Sequence, residues 1–409
     1  MSVWLTVLGI GDDGLAGLLP AARALLDRAE VVAGGVRHLA LVQDAAPAAE
    51  RLAWRSTLAA SVTELEALRG RRVVVLATGD PMHFGIGVKL VREFGRDAVL
   101  IVPAPGAFSL AAARMGWPLQ RTRCISVHGR PLDALRLALA PGARILALSE
   151  DGTTPVRAAA LLCDMGYGPS ELTVLEHLGG PRERIVSGTA AGWGEARSAD
   201  LNTLAIVGEA EPGARLLPTV PGLPDEAFRH DGQITKRAVR AATLALLAPM
   251  PGETLWDVGA GSGAIAIEWL RAAENAQACA IETSAARCAN IAVNAARLGV
   301  PRLEIVAGAA PGALGGLPVP DAIFIGGGVS TPGLIDACWQ AIESGGRLVA
   351  NAVTVAGEAA VLAAQARLGG NLARISIAQA EPVGGYLAWR PQLPVTQWRA
   401  LRGAPNADS

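Results

Sequence analysis

Residues 255–263, Leu-Trp-Asp-Val-Gly-Ala-Gly-Ser-Gly, constrain this chain more than any other stretch. An apolar run carries an acid, Asp257, just ahead of Gly259, Gly261 and Gly263, and Ala264–Leu270 then reads as the start of a helix. A strand, a tight glycine turn and a helix, in that order, place a ligand pocket at the carboxyl edge of a parallel sheet. A Cβ at Gly259 or Gly261 would block the close approach of backbone to ligand. Glu282 follows the next apolar run, Ala278–Ile281, where a second strand would end. A carboxylate there can accept both hydroxyls of a ribose. The pattern predicts a site for a small adenosine-bearing cofactor.

Two cofactors compete for it. Gly259-x-Gly261-x-x-Ala264 satisfies the dinucleotide fingerprint of NAD enzymes. An acid two residues before the first glycine is characteristic of S-adenosylmethionine (SAM) methyltransferases, and Asp257 occupies that place. The turn favours SAM and leaves an NAD(P)-dependent oxidoreductase on residues 230–409 as the alternative.

At 409 residues the chain is too long for one typical core, and two or three domains are expected. It is 51% hydrophobic, yet no apolar run approaches the roughly 20 residues a bilayer requires. Met1–Ile10 has no basic flank and is cut short by Gly9, Gly11, Asp12 and Asp13, so it reads as a first strand and not a signal peptide. A net charge of −1 gives no electrostatic footprint for nucleic acid. The five cysteines include no CxxC pair and the histidines are scattered. Small buried thiols in a reducing cytoplasm are expected, with no metal site.

Both halves alternate strand and helix, which is α/β architecture. Between them, residues 211–224 carry four prolines and two glycines and read as a linker, giving domains at 1–210 and 225–409. The first half divides again near Gly116–Arg121, where Gly-Trp-Pro breaks a helix.

In the first half four strand-end loops occur in sequence. They are Leu8-Gly-Ile-Gly-Asp-Asp-Gly14, Leu76-Ala-Thr-Gly-Asp-Pro-Met-His-Phe-Gly-Ile-Gly87, Val102-Pro-Ala-Pro-Gly-Ala-Phe-Ser109 and Ser126-Val-His-Gly-Arg130. Together they resemble the tetrapyrrole methylase family. Gly-Ile-Gly-Asp-Asp-Gly stands where that family usually has Gly-x-Gly-Pro-Gly. The resemblance implies a fold of two α/β lobes with SAM in the cleft between them, bordered by Gly9, Gly11, Gly79, Asp80 and Pro81. Leu175-Glu-His-Leu-Gly179 and Ser187-Gly-Thr189 point to the subgroup acting on carbon 5 of a precorrin. Asp80 and His83 read either as an acid–base pair or as a loop cap and a bystander. His128 and Arg130 read as contacts to substrate carboxylates, His128 equally as a hydrogen-bonded core residue.

The second half carries Gln233-Ile-Thr-Lys-Arg-Ala-Val-Arg240, the 257–263 turn, Gly308-Ala-Ala-Pro-Gly-Ala-Leu314 and Leu317-Pro-Val-Pro-Asp-Ala-Ile-Phe-Ile-Gly-Gly-Gly328. This series is similar to the precorrin decarboxylase/carbon-15 methyltransferase subgroup of Rossmann-like, class I SAM-dependent methyltransferases. Carried over by position, Thr235, Gly259, Ala260, Gly261, Ser262, Gly263, Glu282 and Ala310 are expected to contact SAM. Asp321 is expected at the pocket mouth, with a turn cap as the alternative. Lys236, Arg237 and Arg240 are expected on one helix face, either meeting acidic substrate arms or simply solvated.

The combined resemblance implies a fused enzyme with two SAM sites that methylates precorrin-6B at carbons 5 and 15. It would also remove the ring-C acetate as CO2, giving precorrin-8X for cobalamin. A homo-oligomer, with no nucleic acid or membrane partner, is expected by the same resemblance.

Overall fold

The computed structural model describes residues 3–55 and 57–403 and divides into two compact units. The first comprises Met1–Leu132 with Ala138–Arg215, the second Asp133–Leu137 with Leu216–Ser409.

The first unit holds two five-stranded sheets. Strands β1 (Leu5–Ile10), β2 (Val31–Gly34), β3 (Glu50–Ala53), β4 (Val73–Thr78) and β5 (Val99–Val102) form one, in the order β3-β2-β4-β1-β5. All its pairings are parallel. Such a sheet is covered on both faces, so its central strands need uninterrupted apolar runs. Every residue of Leu5–Ile10 is accordingly buried. The second sheet is mixed, in the order β6-β7-β10-β8-β9, from β6 (Arg123–Ser126), β7 (Arg144–Leu148), β8 (Glu171–Glu176), β9 (Arg184–Thr189) and β10 (Asn202–Val207). The helix Ala107–Met115 ends at Gly116 in the left-handed conformation, φ +65°, between the two sheets.

The second unit is one seven-stranded sheet with helices on both faces. Its strands are β11 (Thr254–Val258), β12 (Gln277–Glu282), β13 (Glu304–Ala307), β14 (Ala322–Ile325), β15 (Arg347–Ala352), β16 (Asn371–Ile375) and β19 (Val395–Leu401). The order is β13-β12-β11-β14-β15-β19-β16, parallel from β13 to β15 and antiparallel beyond. Trp269 and Trp398 are fully buried in its core. A separate hairpin, β17 (Ala378–Val383) and β18 (Tyr386–Pro391), leaves Tyr386 83% and Trp389 76% exposed.

The proline-rich stretch is not a free linker. Leu223 is buried, and the amides of Gly222 and Leu223 donate to the Glu268 carboxylate at 2.5 and 3.0 Å. Arg271 donates to the carbonyls of Leu217 and Pro218. Glu211, by contrast, donates its amide to Gly166 of the first unit. The prolines stop regular structure without preventing their neighbours from packing. Among the described residues no helix is long and apolar enough to cross a membrane.

Candidate functional site

The carboxyl ends of β11, β12, β14 and β15 open onto a cavity of about 1090 Å³. Its floor is the turn after β11, where Gly259, Gly261 and Gly263 adopt φ of +72°, +59° and +75°; of these Gly259 and Gly261 line the cavity, and Gly263, expected to contact SAM, does not. A Cβ on Gly259 would stand 2.7 Å from the backbone of Gly327, so the loops after β11 and β14 touch main chain to main chain. Gly263 begins the helix Ala264–Ala272, and a Cβ there would meet Ile291 at 2.9 Å.

Asp257 is 1% exposed and lines this floor. One carboxylate oxygen accepts from the Ala266 amide at 3.0 Å; the other is buried without a partner. Burial pushes its carboxyl up to about 7, with the Glu282 charge adding to the rise and the Ala266 amide opposing it. Unpartnered buried oxygens are rare, and a carboxylate with one of them beside a cavity suits a cationic or hydroxyl donor. Glu282 is 4% exposed and already holds the loops. Oε2 accepts from the Gly261 amide at 2.8 Å, while Oε1 accepts from the amides of Thr283 and Ser284. Oε1 also accepts from the Thr283 hydroxyl, so the acceptor capacity left for a ligand hydroxyl lies on Oε2.

Thr235, Lys236, Ala260, Ser262 and Ala310 line the same cavity. Three further sequence expectations fail. Asp321 immediately precedes β14 and therefore sits at the sheet's amino edge, where its carboxylate accepts from the Thr254 amide at 2.8 Å. It is a turn cap, remote from the cavity. Arg240 is fully buried, paired with Glu268 at 2.6 Å and Asp225 at 2.9 Å. It cannot reach substrate. Arg237 is exposed but does not line the cavity, so the three basic residues share no face. Arg287 and Asn351, which sequence reasoning passed over, do line it. Asn351 lies at the end of β15, a strand end that could have drawn attention to it.

In the first unit the loops after β1, β4 and β5 pack backbone against backbone. A Cβ on Gly9 would collide with the Gly79 carbonyl and lie 2.6 Å from the Ala104 amide; one on Gly79 would lie 2.7 Å from Gly106. A Cβ on Gly11 would meet only the Asp13 side chain. Asp80 caps its own loop, accepting from the Met82 amide at 2.8 Å, and Pro81 is buried beneath it. The His83 ring instead packs against Phe84 and Phe108, with centroids 5.2 and 4.8 Å away, so no Asp80–His83 acid–base pair forms. Arg130 lies over the exposed Phe84 ring at 5.1 Å. His128 is 71% exposed and 3.7 Å from Glu150, a surface group and not a core one.

The fold also brings together residues from separate motifs to which the sequence assigned no individual role. Asp12 is 6% exposed between Arg37 Nη1, at 2.9 Å, and His177 Nδ1, at 3.0 Å. Arg37 and His38 both reach Thr78 Oγ1 at 2.8 Å. Burial first and then Arg37 push the His38 imidazole down to about 4, which keeps it neutral. Asp12 and His177 are 165 residues apart, so only the folded chain reveals the pair.

Comparison with known proteins accords with both halves. Residues 5–192 match the family described as Tetrapyrrole (Corrin/Porphyrin) Methylases, and residues 226–402 match one described as Precorrin methyltransferase domain. A Sinorhizobium protein named precorrin-6Y C(5,15)-methyltransferase [decarboxylating] is 52% identical over 403 residues, 98% of this chain and 97% of its own. A Mycobacterium tuberculosis protein of the same name is 46% identical over 401 residues, 97% of this chain and 100% of its own. The crystal structure of the C-terminal domain of the Rhodobacter capsulatus enzyme of that name is 48% identical, covering 46% of this chain and 100% of that one, with a TM-score of 0.43. The oxidoreductase alternative has no counterpart among these relatives. With both halves matched and two relatives aligned over nearly their whole length, this chain belongs to the precorrin-6Y C(5,15)-methyltransferase (decarboxylating) family.

Proposed function

We propose that this chain replaces the hydrogens on carbons 5 and 15 of precorrin-6B by methyl groups and releases the ring-C acetate as CO2, yielding precorrin-8X. The observation that carries the reading is the near full-length similarity to relatives named for both positions. The first unit is assigned carbon 5, and the second carbon 15 with the decarboxylation.

Each unit would hold one SAM, which when bound supplies an electrophilic methyl group. In the second unit the residues present fit it: the partnerless Asp257 oxygen, the free capacity of Glu282 Oε2 and a floor of glycines line one cavity. Asp257 would receive a cationic group and Glu282 a hydroxyl. Lys236 and Arg287 line the cavity and would meet the carboxylate arms of the substrate. Meso carbons of a reduced tetrapyrrole are enamine-like nucleophiles, so the protein need not activate them; it orients them and excludes water. Incubating the full chain with precorrin-6B and methyl-labelled SAM tests the reading. Labelled methyls at carbons 5 and 15 with CO2 release are expected; label at one position only, or at neither, overturns it.

Asp257 gives a pH prediction. A carboxyl raised from its ordinary value of about 4 to about 7 binds a proton in the folded state where the unfolded chain has lost it, so its contribution to stability falls across that window. A cationic ligand reverses the preference and expels the proton. S-adenosylhomocysteine affinity at this site should therefore rise with pH up to about 7 and then level. Calorimetry in buffers of different ionisation enthalpy should show proton release below that pH in the wild type and none in Asp257→Asn. Buffer-independent heats in the wild type would contradict it.

A homo-oligomer is supported by the apolar side chains that the β17–β18 hairpin holds in solvent, since monomers seldom expose such a patch. Sedimentation of the full chain reads this directly, and a monomer at micromolar concentration ends it. The free thiols of all five cysteines are in keeping with a cytoplasmic location.

A further inference from the structure

Electrophilic replacement of a meso hydrogen by methyl releases one proton, and the acid–base candidates singled out in the first unit's loops are engaged elsewhere. Asp80 is engaged with its own loop, His83 is packed between aromatic rings, and His128 is a surface group. We propose that His177 accepts the proton released at carbon 5, its ring positioned by Asp12 and Arg37. This rests on the reading that the first unit methylates carbon 5.

The chain leaves β1 for β2 on one side and leaves β4 for β5 on the other, although β1 and β4 are neighbours. The carboxyl ends of β1 and β4 are therefore the switch point of the sheet, the place where open α/β sheets bind ligands. Asp12 follows β1 by two residues and Thr78 ends β4, so the cluster lies at that switch point. His177 arrives from the second sheet, directly after β8.

His177 holds φ +48°, a left-handed conformation that is costly for a residue with a side chain. Its amide donates to the Leu201 carbonyl at 3.0 Å and its carbonyl accepts from Gly180 at 2.9 Å, which fix it there. A Cβ on Gly180 would stand 2.6 Å from Asp12 Oδ2, so glycine at that position leaves room for the Asp12 carboxylate to meet the imidazole. Asp12, tied to Arg37 through its other oxygen, accepts a hydrogen bond from Nδ1–H, which leaves Nε2 with its lone pair. Nε2 makes no hydrogen bond among the described residues. Arg182 Nη2, 3.4 Å from Nδ1, is the other charged group facing the ring. His38 cannot substitute: it shares its Nε2 with Thr78 and Arg37, and its proton affinity is too low.

The step balances. The carbon 5 π pair forms the new C–C bond as the S–CH3 bond breaks and its electrons stay on sulfur. The C5–H bond then breaks, its electrons restore the π system, and the proton passes to His177 Nε2.

The test uses the full chain. His177→Ala should lower kcat for carbon-5 methylation by about 10²- to 10⁴-fold, while carbon-15 product, S-adenosylhomocysteine affinity and thermal unfolding stay at wild-type values. Added imidazole should restore carbon-5 turnover. Independently of activity, the ring ¹⁵N shifts of wild-type His177 should report a proton on Nδ1 alone, and Asp12→Asn should abolish that preference. Undiminished carbon-5 turnover in His177→Ala, a loss that imidazole does not repair, or a wild-type ring protonated on Nε2 alone each overturn the assignment. A wild-type chain that never methylates carbon 5 overturns the functional reading beneath it instead.

Discussion

Arg240→Ala should unfold the second unit about 3–5 kcal/mol more easily than wild type and leave the first unit's transition in place. Arg240 has no exposed surface and Glu268 only 1%. Truncating the arginine leaves the Glu268 carboxylate buried with two backbone amides and without its ion-pair partner. It also strips the carbonyls of Leu223 and Thr235 of a donor. A typical domain has about 5–15 kcal/mol in total, so most of the margin is at stake. For a unit of this size the midpoint should fall by on the order of 10 °C. Arg240→Lys keeps the charge but not the planar fork that serves Glu268, Asp225 and two carbonyls together, and should fall between. Calorimetric scans of the full chain separate the cases. A variant within 1 kcal/mol of wild type but with a raised substrate KM would return Arg240 to the substrate-binding role that its position in Gln233–Arg240 suggested.

Gly259→Ala should abolish ligand binding in the second unit. The new Cβ would lie 2.7 Å from both the nitrogen and the Cα of Gly327, and φ +72° is strained for alanine. Neither neighbour is a flexible side chain, so the loops after β11 and β14 must separate and the floor beneath Asp257 opens. A loss of at least about 100-fold in S-adenosylhomocysteine affinity at this site is expected, since a displacement of about 1 Å costs that much in rate or binding. Calorimetric stoichiometry should fall from two to one per chain, and the product should carry the carbon-5 methyl alone. A variant still methylating carbon 15 would remove the second unit from that reaction.

Much of this was legible. The acid–glycine turn could be read because positive φ and backbone-to-backbone contact admit only glycine, and the central parallel strands because burial on both faces demands unbroken apolar runs. The edge strands β5 and β13 were legible too, but β3, β9 and the late strands β16 and β19 were not. β3, β9 and β16 are largely exposed and carry polar residues, and β19 reads Val-Thr-Gln-Trp-Arg-Ala-Leu, with little periodicity to find. Asp321 was misplaced by one physical detail: it stands before its apolar run, and in a parallel sheet that is the edge opposite the ligand. Arg240 misled because a basic helix residue looks the same in sequence whether solvated or paired, and its partners lie 15 and 28 residues away. His177 met Asp12 only through the tertiary fold.

The joint between the units has a practical consequence for anyone wishing to sever them. Leu217, Pro218, Gly222 and Leu223 are held by Arg271 and Glu268 of the second unit, whereas Glu211 is held by the first. A cut at the last proline would amputate the covering of a buried carboxylate, and inactivity of that fragment would say nothing about chemistry. Scission just after Arg215 keeps these four residues with the second unit and Glu211 with the first.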